Sequence, residues 1–195
     1  YVDAPNTSRS RVAIGAPDDT LDEAKFDAPM IVQTGPFLPN APQHGQGGAR
    51  ISSVTWHQPG AAPEDAALTR FEGGAEIELR LEAHVETDLN QPILGFIFRD
   101  SRGQNLFGDN SYLATAENPP AIRAGGRITA TFRFRFPYLP KGTYQLAPSI
   151  LNGTQDSHAH IHWLEDAMQI TVTKSPVSFG LVGVPMIDTS LGPCD

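Results

Sequence analysis

The sequence predicts an all-β protein with the architecture of an immunoglobulin-like antiparallel β-sandwich. Three observations predict it. Many short segments alternate between apolar and polar residues, turn residues separate them at roughly ten-residue spacing, and no long helical pattern lies between them. The 195 residues include 18 Gly and 17 Pro, which suits many short strands joined by turns.

The two ends of the chain differ in composition from its middle, and this difference sets the predicted boundaries. Residues 1–48 hold acidic, polar and Pro/Gly-rich stretches and are predicted to be a linker or extended N-terminal segment, with a short helix near Asp19 or Thr20 and with room for one docked helix or strand. The sandwich is predicted over residues 49–174, and residues 175–195 form a C-terminal tail. Because the chain starts at Tyr1 without an initiator methionine, we expect it to be part of a longer protein.

The predicted strands follow one another from Ala49. The first has apolar residues out of strict phase, which predicts a bulge, and the second alternates from Ile77 to Val85 with charged residues on its other face. The third is apolar on both faces and is predicted to be central, whereas the fourth alternates apolar residues with Arg or Thr. The predicted strands cover residues 49–58, 75–86, 92–100, 127–136, 143–151 and 167–173.

Two local patterns add detail to these strands. Glu78 and Glu82 of the second strand suit Arg133 and Arg135 of the fourth if the two strands are neighbours, at about 0.2–1 kcal/mol for each pair. The same charges also fit an ordinary solvated sheet face. The glycine turn before Tyr144, in LPKGTY, resembles the tyrosine corner of immunoglobulin-like sandwiches.

Charge and composition exclude several classes of partner. The formal net charge is −8 and no cluster of Lys and Arg appears, so nucleic acid and anionic membrane surfaces are not expected partners. The one cysteine, Cys194, allows no intrachain disulfide, and no apolar run reaches the ~18 residues of a membrane span. The sequence therefore predicts a soluble, cytoplasmic chain, and we expect no cofactor.

Three of the six histidines alternate in SHAHIHW, at His158, His160 and His162. Alternate residues of a strand share a face with neighbours ~6.5–7 Å apart, so two of them suit one Zn²⁺, whereas three in a row do not easily reach one ion. A metal-dependent hydrolase built on this cluster is one hypothesis, and surface or sugar-contacting histidines are the other. We expect no metal, since no H-E-x-x-H or C-x-x-C motif supplies further ligands.

Catalytic signatures are absent from the sequence. It holds no G-x-S-x-G elbow, no P-loop and no G-x-G-x-x-G motif, and Cys194 lies next to the terminus, a poor place for a tuned thiolate. The chain is therefore predicted to be a binding module rather than an enzyme. A purely structural dimerisation domain is a further alternative.

A dense run of polar groups lies in FRDSRGQNLFGDNSYL, which starts at Phe98. Its Arg99, Asn105, Asn110 and Tyr112 offer planar hydrogen-bonding groups and an aromatic ring, which is the chemistry that binds sugars. The same residue types also suit ordinary Asx turns in loops. The stretch therefore predicts either a sugar site or turn chemistry.

The predicted place for a sugar is the outward polar face of the sheet formed by residues 95–100, residues 143–151 and the C-terminal strands. On the strand 143–151 the larger side chains alternate inward, at Tyr144, Leu146, Pro148 and Ile150. The smaller ones, Gln145, Ala147 and Ser149, then face outward and leave room for a ligand.

Three segments carry a family resemblance: GFIFRDSRGQNLFGDNSYL, FRFRFPYLPKGTYQLAPSI and HWLEDAMQITV. They stand in order over roughly residues 50–173 and resemble the C-terminal domain of Wzt-type proteins, the ATP-binding subunits of O-antigen polysaccharide ABC exporters. The residues that match the first motif are Arg99, Asp100, Gly103, Leu106, Phe107, Gly108, Asn110 and Ser111.

The resemblance implies a sandwich that binds the non-reducing end of an O-antigen polysaccharide and gives an exporter its substrate specificity at the inner face of the inner membrane. It also implies an upstream ATPase domain, a membrane permease subunit and a homodimer made by exchange of a C-terminal strand, which SPVSFGLVGVPMID suits. Similar domains also lie beside glycosyltransferases or methyltransferases, so the upstream partner stays open. The candidate carbohydrate-binding residues are Arg99, Asn105, Asn110, Tyr112, Gln145, Ser149, His160 and Trp163, of which Trp163 is either a stacking platform or a core residue.

Overall fold

The computed structural model describes residues 29–62, 64–184 and 191, and it confirms the predicted antiparallel β-sandwich. No helix in this described part of the chain is long and apolar enough to cross a membrane. The elements are β1 (Ile31–Thr34), β2 (Gln43–His44), β3 (Ala49–His57), β4 (Arg70–Glu72), β5 (Glu76–Val85), β6 (Pro92–Asp100), β7 (Asn105–Asn110), α1 (Tyr112–Thr115), β8 (Arg127–Arg135), β9 (Gly142–Gly153), β10 (His158–Leu164) and β11 (Met168–Lys174).

The larger of the two sheets is built around β9. This long strand pairs with β6 along one side, and along the other it pairs first with β11 and then with β10. The sheet continues from β6 to β7, from β10 to β2, and from β11 through β1 to β4. The smaller sheet is β3–β5–β8. All these pairings are antiparallel, and β7 and β8 each have a single strand neighbour among the described residues.

The core lies between the sheets and is rich in aromatic rings. The alternating apolar residues of β5 are at most 2% exposed, as their period of two predicts. Phe98 stacks on Phe107 with ring centroids 4.7 Å apart and on Tyr144 at 5.6 Å, distances at which ring pairs add to the energy of burial. Trp56 Nε1 of the smaller sheet donates to Met168 Sδ of the larger one over 3.3 Å, which joins the two layers.

The predicted tyrosine corner is present at the start of β9. The Tyr144 hydroxyl donates to the carbonyl oxygen of Pro140 over 2.7 Å, so the loop before the strand is tied to the strand itself. Burial, with a smaller contribution from the Asp100 carboxylate, raises the pKa of Tyr144 above its ordinary value, which keeps the hydroxyl a donor.

The predicted charge pairs between β5 and β8 are only partly correct. Glu78 lies opposite Arg133 in the register, but the Arg133 guanidinium donates diagonally to Glu76. Glu82 lies opposite Thr129 rather than opposite Arg133 or Arg135. The alternation predicted the two faces correctly, whereas the individual pairs depend on the register.

Part of the segment predicted to be a linker belongs to the sandwich. β1 lies between β11 and β4, and its Val32 is fully buried, while β2 extends the other end of the larger sheet beyond β10. Within the segment predicted to be a linker or extended region, residues 31–34 and 43–44 are thus strands of the larger sheet. Strands of four and two residues are too short to show a period. The helix predicted near Asp19 or Thr20 lies outside the described residues.

The first part of the C-terminal tail folds back onto its own chain. Ser175 Oγ donates to the carbonyl oxygen of Leu139 over 2.6 Å, and the Gly183 N–H donates to that of Tyr138 over 2.7 Å. Four large apolar side chains of this segment nevertheless stay exposed, by between 43% and 91%: Phe179, Leu181, Val182 and Val184.

Candidate functional site

The outer face of the larger sheet carries the residues that the sequence predicts to contact a sugar. Along β9, Leu146 and Ile150 belong to the core, so Gln145 and Ser149, which alternate with them, point away from it. Strand pairing then adds residues of β6, β7, β10 and β2 to the same face. The alternation of side chains along β9 and the register of its pairing with neighbouring strands together determine which residues lie on this surface.

One row of paired residues crosses the face from β2 to β7. Ser149 lies opposite Gly95 of β6 on one side and opposite Trp163 of β10 on the other. His44 pairs with Trp163 at one end of the row, and Asn110 pairs with Gly95 at the opposite end. The middle of the row therefore has small side chains, with an aromatic residue and an amide toward its ends.

A second row runs four residues away along β9, a separation of about 13 Å in an extended strand. Here Gln145 lies opposite Arg99 of β6 and Gln169 of β11, and Arg99 lies opposite Asn105 of β7. This row is polar along its whole length, so hydrogen-bonding groups flank the smaller side chains of the sheet centre.

The Arg99 side chain connects the two rows. Its guanidinium pairs with the Glu165 carboxylate, its Nε donates to Asn105 Oδ1 over 3.0 Å, and its Cζ lies 6.0 Å from the Trp163 ring centroid. Since β9 separates β6 from β10, this contact passes over β9. Arginine and carboxylate compensate each other, so the centre of the face holds donors and acceptors without a net charge.

Three aromatic rings form a compact group at the β10 edge, which we call the ring cluster: His44, His160 and Trp163. The imidazole of His44 stacks on the Trp163 indole with centroids 5.8 Å apart and planes 20° apart, and His160 lies 5.9 Å from Trp163. Trp163 Nε1 is shielded from solvent and has no hydrogen-bond partner among the described residues. An unpaired buried donor costs about 1–3 kcal/mol, so this N–H does not stabilise the fold.

Trp163, which the sequence left open as either a stacking platform or a core residue, lies outside the core. The residue is half-buried, pairs with Ser149 on the outer face and does not belong to the core. It sits among polar and aromatic partners, where a flat ring suits stacking.

The outward positions of β9 leave less open room than predicted. Ala147 is fully buried and Ser149 is 6% exposed, although both face away from the core. The physical reason is the flanking strands, whose large side chains Arg99 and Trp163 meet above β9. A ligand would therefore contact mainly the side chains that rise from β6, β7 and β10.

Asn110 and Tyr112 lie where β7 ends and α1 begins. Asn110 Oδ1 accepts from the Tyr112 N–H over 2.9 Å, which is an Asx turn, and its Nδ2 donates to Gln155 Oε1 over 3.3 Å. The Asn110 side-chain oxygen is therefore engaged in the Asx turn that the sequence offered as the alternative to a sugar site. Its amide nitrogen connects the β9–β10 loop to this end of the face.

The three alternating histidines do not share a face. A bulge shifts the register between His160 and His162, so that His160 lies opposite Leu151 and His162 opposite Ile150. His162 turns inward and is 7% exposed; its Nδ1 accepts from the Ile51 N–H over 3.1 Å. Burial, with a smaller contribution from Arg50, lowers the pKa of His162 below its ordinary value.

These positions contradict the hypothesis of a hydrolase that uses His158, His160 and His162 as one metal site. In the described ranges, no group of three His, Cys, Asp or Glu side chains is arranged to hold a metal ion. The bulge is the physical cause, because one extra residue in a strand turns the following side chains to the other face.

Two residues of the face were missed by the sequence reasoning, His44 and Glu165. His44 stood in the stretch interpreted as linker, and Glu165 stood between the alternating histidines and the strand predicted over residues 167–173. The sequence signal for His44 was its place in PQHGQGG, where glycines allow the backbone to approach a neighbouring strand. Glu165 stands next to Asp166 and two positions after Trp163, and nothing in this local sequence indicates its pairing with Arg99.

A separate concave feature lies between the sheets, where the edge strands β7 and β8 face each other. This cleft has a volume of about 580 Å³ and is lined mainly by apolar side chains of β6, β7 and β8, including Phe96, Phe107, Ile128 and Phe132. It lies on the core side of β6 and extends to Asn110 at the β7 end of the first row. Its apolar lining suits apolar groups better than a sugar.

Comparison with known proteins finds a matching protein family and a solved structure with the same fold. The family model described as the Wzt C-terminal domain matches residues 40–184. A solved structure, described as "Crystal structure of the C-terminal domain of wzt", matches with a TM-score of 0.65 and 22% identity over 80% of this chain and 93% of that one. At this identity the likeness shows the shared fold. No curated protein sequence is similar enough to count as a match.

Proposed function

This chain belongs to the Wzt C-terminal domain family, and we propose from that membership that it is a non-catalytic module that binds an O-antigen polysaccharide for an ABC exporter. The observation that carries the proposal is the convergence of sugar-binding groups on one face. Arg99, Asn105, Gln145 and Trp163 come from four strands, and register brings them to the outer face of the larger sheet. Planar hydrogen-bonding groups around an aromatic ring are what a polysaccharide needs.

The ligand proposed within the polymer is its non-reducing end. The rings of the ring cluster lie within 6.4 Å of one another, so the aromatic surface has the dimensions of a single sugar residue rather than of a long chain. A surface of this size suits one terminal residue, with the polar row of Arg99 and Gln145 available to the next. We expect a dissociation constant of about 10⁻³–10⁻⁵ M, since few hydrogen bonds outcompete water at an open face.

The test is a titration of the ¹⁵N-labelled chain with O polysaccharide purified from the cells that encode it. Saturable shifts of amides on β6, β9 and β10 support the proposal, and Trp163→Ala should abolish them while leaving the remaining spectrum folded. Shifts that never saturate, or none at all, would favour a purely structural dimerisation domain. Polymer whose terminal residue has been removed by an exoglycosidase tests the preference for the non-reducing end.

A homodimer formed by exchange of the C-terminal strand is proposed as well. Support comes from the exposed apolar side chains of the tail, such as Phe179 and Val184, and from the apolar cleft between the edge strands β7 and β8, which offers a surface of matching character. Exchange of a terminal strand is a low-cost route to a dimer. Deleting the residues after Lys174 should convert the dimer to a monomer in light scattering. A truncated chain that stays dimeric would refute the exchange.

The remaining partners are proposed from the family alone: an ATPase domain upstream in the same protein, and a membrane permease that this ATPase drives. The module would then work in the cytoplasm at the inner face of the inner membrane. The coding sequence upstream of Tyr1 tests this directly, because an ATPase carries a P-loop motif. A glycosyltransferase or methyltransferase in that place would refute the exporter role and leave the glycan-binding role intact.

A further inference from the structure

The ring cluster contains a residue from the N-terminal segment, and this contribution extends the proposed site. We propose that His44 is a specificity-determining residue of the glycan site and that, with Trp163 and His160, it forms a stacking surface for the C–H face of an uncharged sugar. The inference rests on the proposed function, because it assigns a ligand class and a further residue to the same face.

The backbone around His44 is held firmly against β10. The Gln46 N–H donates to the carbonyl oxygen of His160 over 2.8 Å, and the Gly47 N–H donates to that of Ile161 over 3.0 Å. On the other side of His44, Gln43 Oε1 contacts His162 Nε2 at 2.6 Å. These bonds position the α-carbon of His44 beside Trp163 independently of its own side chain.

Gly45 makes this close approach feasible. Its φ is +137°, and a Cβ atom at this position would lie 2.4 Å from the carbonyl oxygen of Ile161. A residue other than glycine would push the segment away from β10, and with it the imidazole of His44. The backbone is thus shaped so that the histidine lies beside the indole.

The His44 side chain, in contrast, contributes little to holding the fold. It is 57% exposed, and its described contacts are the rings of Trp163 and His160 and the Glu165 carboxylate, whose Oε1 is 3.8 Å from His44 Nδ1. A flat ring kept at the surface by a rigid backbone is available for a ligand. Substitution at this position should therefore leave folding intact and make binding a clean readout.

The charges around the cluster select the class of sugar. Arg99 is already paired with Glu165 and bonded to Asn105, so a carboxylate or phosphate on the ligand would have to displace Glu165 or lie beside it. Like charges at such short range are unfavourable. A neutral sugar meets no such penalty, because its C–H face packs on the rings without bringing a charge beside the Glu165 carboxylate.

The experiment compares four chains by calorimetric titration with purified O polysaccharide: the wild type, His44→Ala, His44→Phe and His84→Ala. His84 is an exposed histidine of β5 on the smaller sheet and serves as the matched control. We expect His44→Ala to weaken binding about 3- to 10-fold through loss of one ring contact, His44→Phe to retain most of the affinity, and the control to equal the wild type.

The outcomes separate this inference from the proposed function. If the wild type shows no saturable binding, the proposed function itself fails. If the wild type binds and His44→Ala binds equally well or more tightly, only the role of His44 is refuted. The imidazole C–H signals of His44 in the wild type give a second readout that needs no variant, and signals that stay unshifted at saturation also refute the role.

The charge selection is tested with small probes. Methyl α-D-mannopyranoside and methyl β-D-galactopyranoside represent neutral sugars, and methyl β-D-glucuronide carries a carboxylate. Ring-cluster amide shifts that are larger with at least one neutral probe than with the glucuronide support the inference. Tighter binding of the glucuronide than of both neutral probes overturns it.

Discussion

Acidification should destabilise the sandwich through the buried His162. This residue joins three elements: its Nδ1 accepts from the Ile51 N–H of β3 over 3.1 Å, and its Nε2 therefore carries the proton that Gln43 Oε1 of β2 accepts at 2.6 Å. A proton added to Nδ1 would face the N–H of Ile51 instead of accepting from it. The neutral imidazole is thus the form that the fold requires, which agrees with the lowered pKa of His162.

The sign and size of the effect follow from proton linkage. Because the folded pKa of His162 lies below the unfolded value of 6.5, the unfolded chain binds the proton first as the pH falls. The contribution of His162 is therefore complete above pH 6.5 and is lost below it. The loss between pH 7.5 and 5.5 is at most about 1.4 kcal/mol, a value reached when the folded imidazole stays neutral over the whole range.

The assay is urea unfolding followed by tryptophan fluorescence at pH 7.5, 6.5 and 5.5. His162→Gln should be less stable than the wild type at pH 7.5, by about 1–3 kcal/mol, because the buried Ile51 N–H loses its acceptor. Between pH 7.5 and 5.5, however, it should lose less stability than the wild type does, by up to about 1.4 kcal/mol. His84→Gln, an exposed histidine of β5, is the control and should keep the wild-type dependence. Equal pH dependence in the wild type and His162→Gln would refute the reasoning.

Further predictions concern the corner, the N-terminal segment and the polar row. Tyr144→Phe removes the bond to Pro140 and should lower the free energy of unfolding by about 1 kcal/mol in urea, whereas an unchanged midpoint would mean that the corner adds nothing. Gly45→Ala places a Cβ against Ile161 and should cost about 1–3 kcal/mol and also weaken glycan binding; retention of both would show that the segment relaxes freely. Arg99→Ala frees the Glu165 carboxylate and should weaken binding of O polysaccharide about tenfold in calorimetry without loss of fold, and unchanged affinity would remove Arg99 from the site.

Local patterns were sufficient for the long strands and for the faces of their side chains. β5 and β8 follow the period of two that their sequences show, and the bulge predicted in the first long strand appears as the register shift between Ile51 and Ser53. The tyrosine corner was recognisable from LPKGTY because turn and tyrosine stand next to each other in the chain. Each of these features is decided by residues a few positions apart.

The candidate site depended on longer distances. Arg99 and Glu165 are separated by 66 positions, and His44 reaches Trp163 only because β2 adds to the edge of β10. The bulge between His160 and His162 reversed the expected common face of the histidines, since nothing in SHAHIHW marks where the extra residue falls.

The sequence by itself determined the fold class, the family resemblance and a candidate set of sugar-binding residues, because hydrophobic period, turn residues and motif order are features of short stretches of the chain. The tertiary structure decided which strands are neighbours, in which register, and therefore that His44 and Glu165 join Arg99 and Trp163 while His162 turns into the interior. The physical reason is that strand pairing is a long-range choice made by burial of the whole core, and a shift of one residue moves a side chain from one face of a sheet to the other.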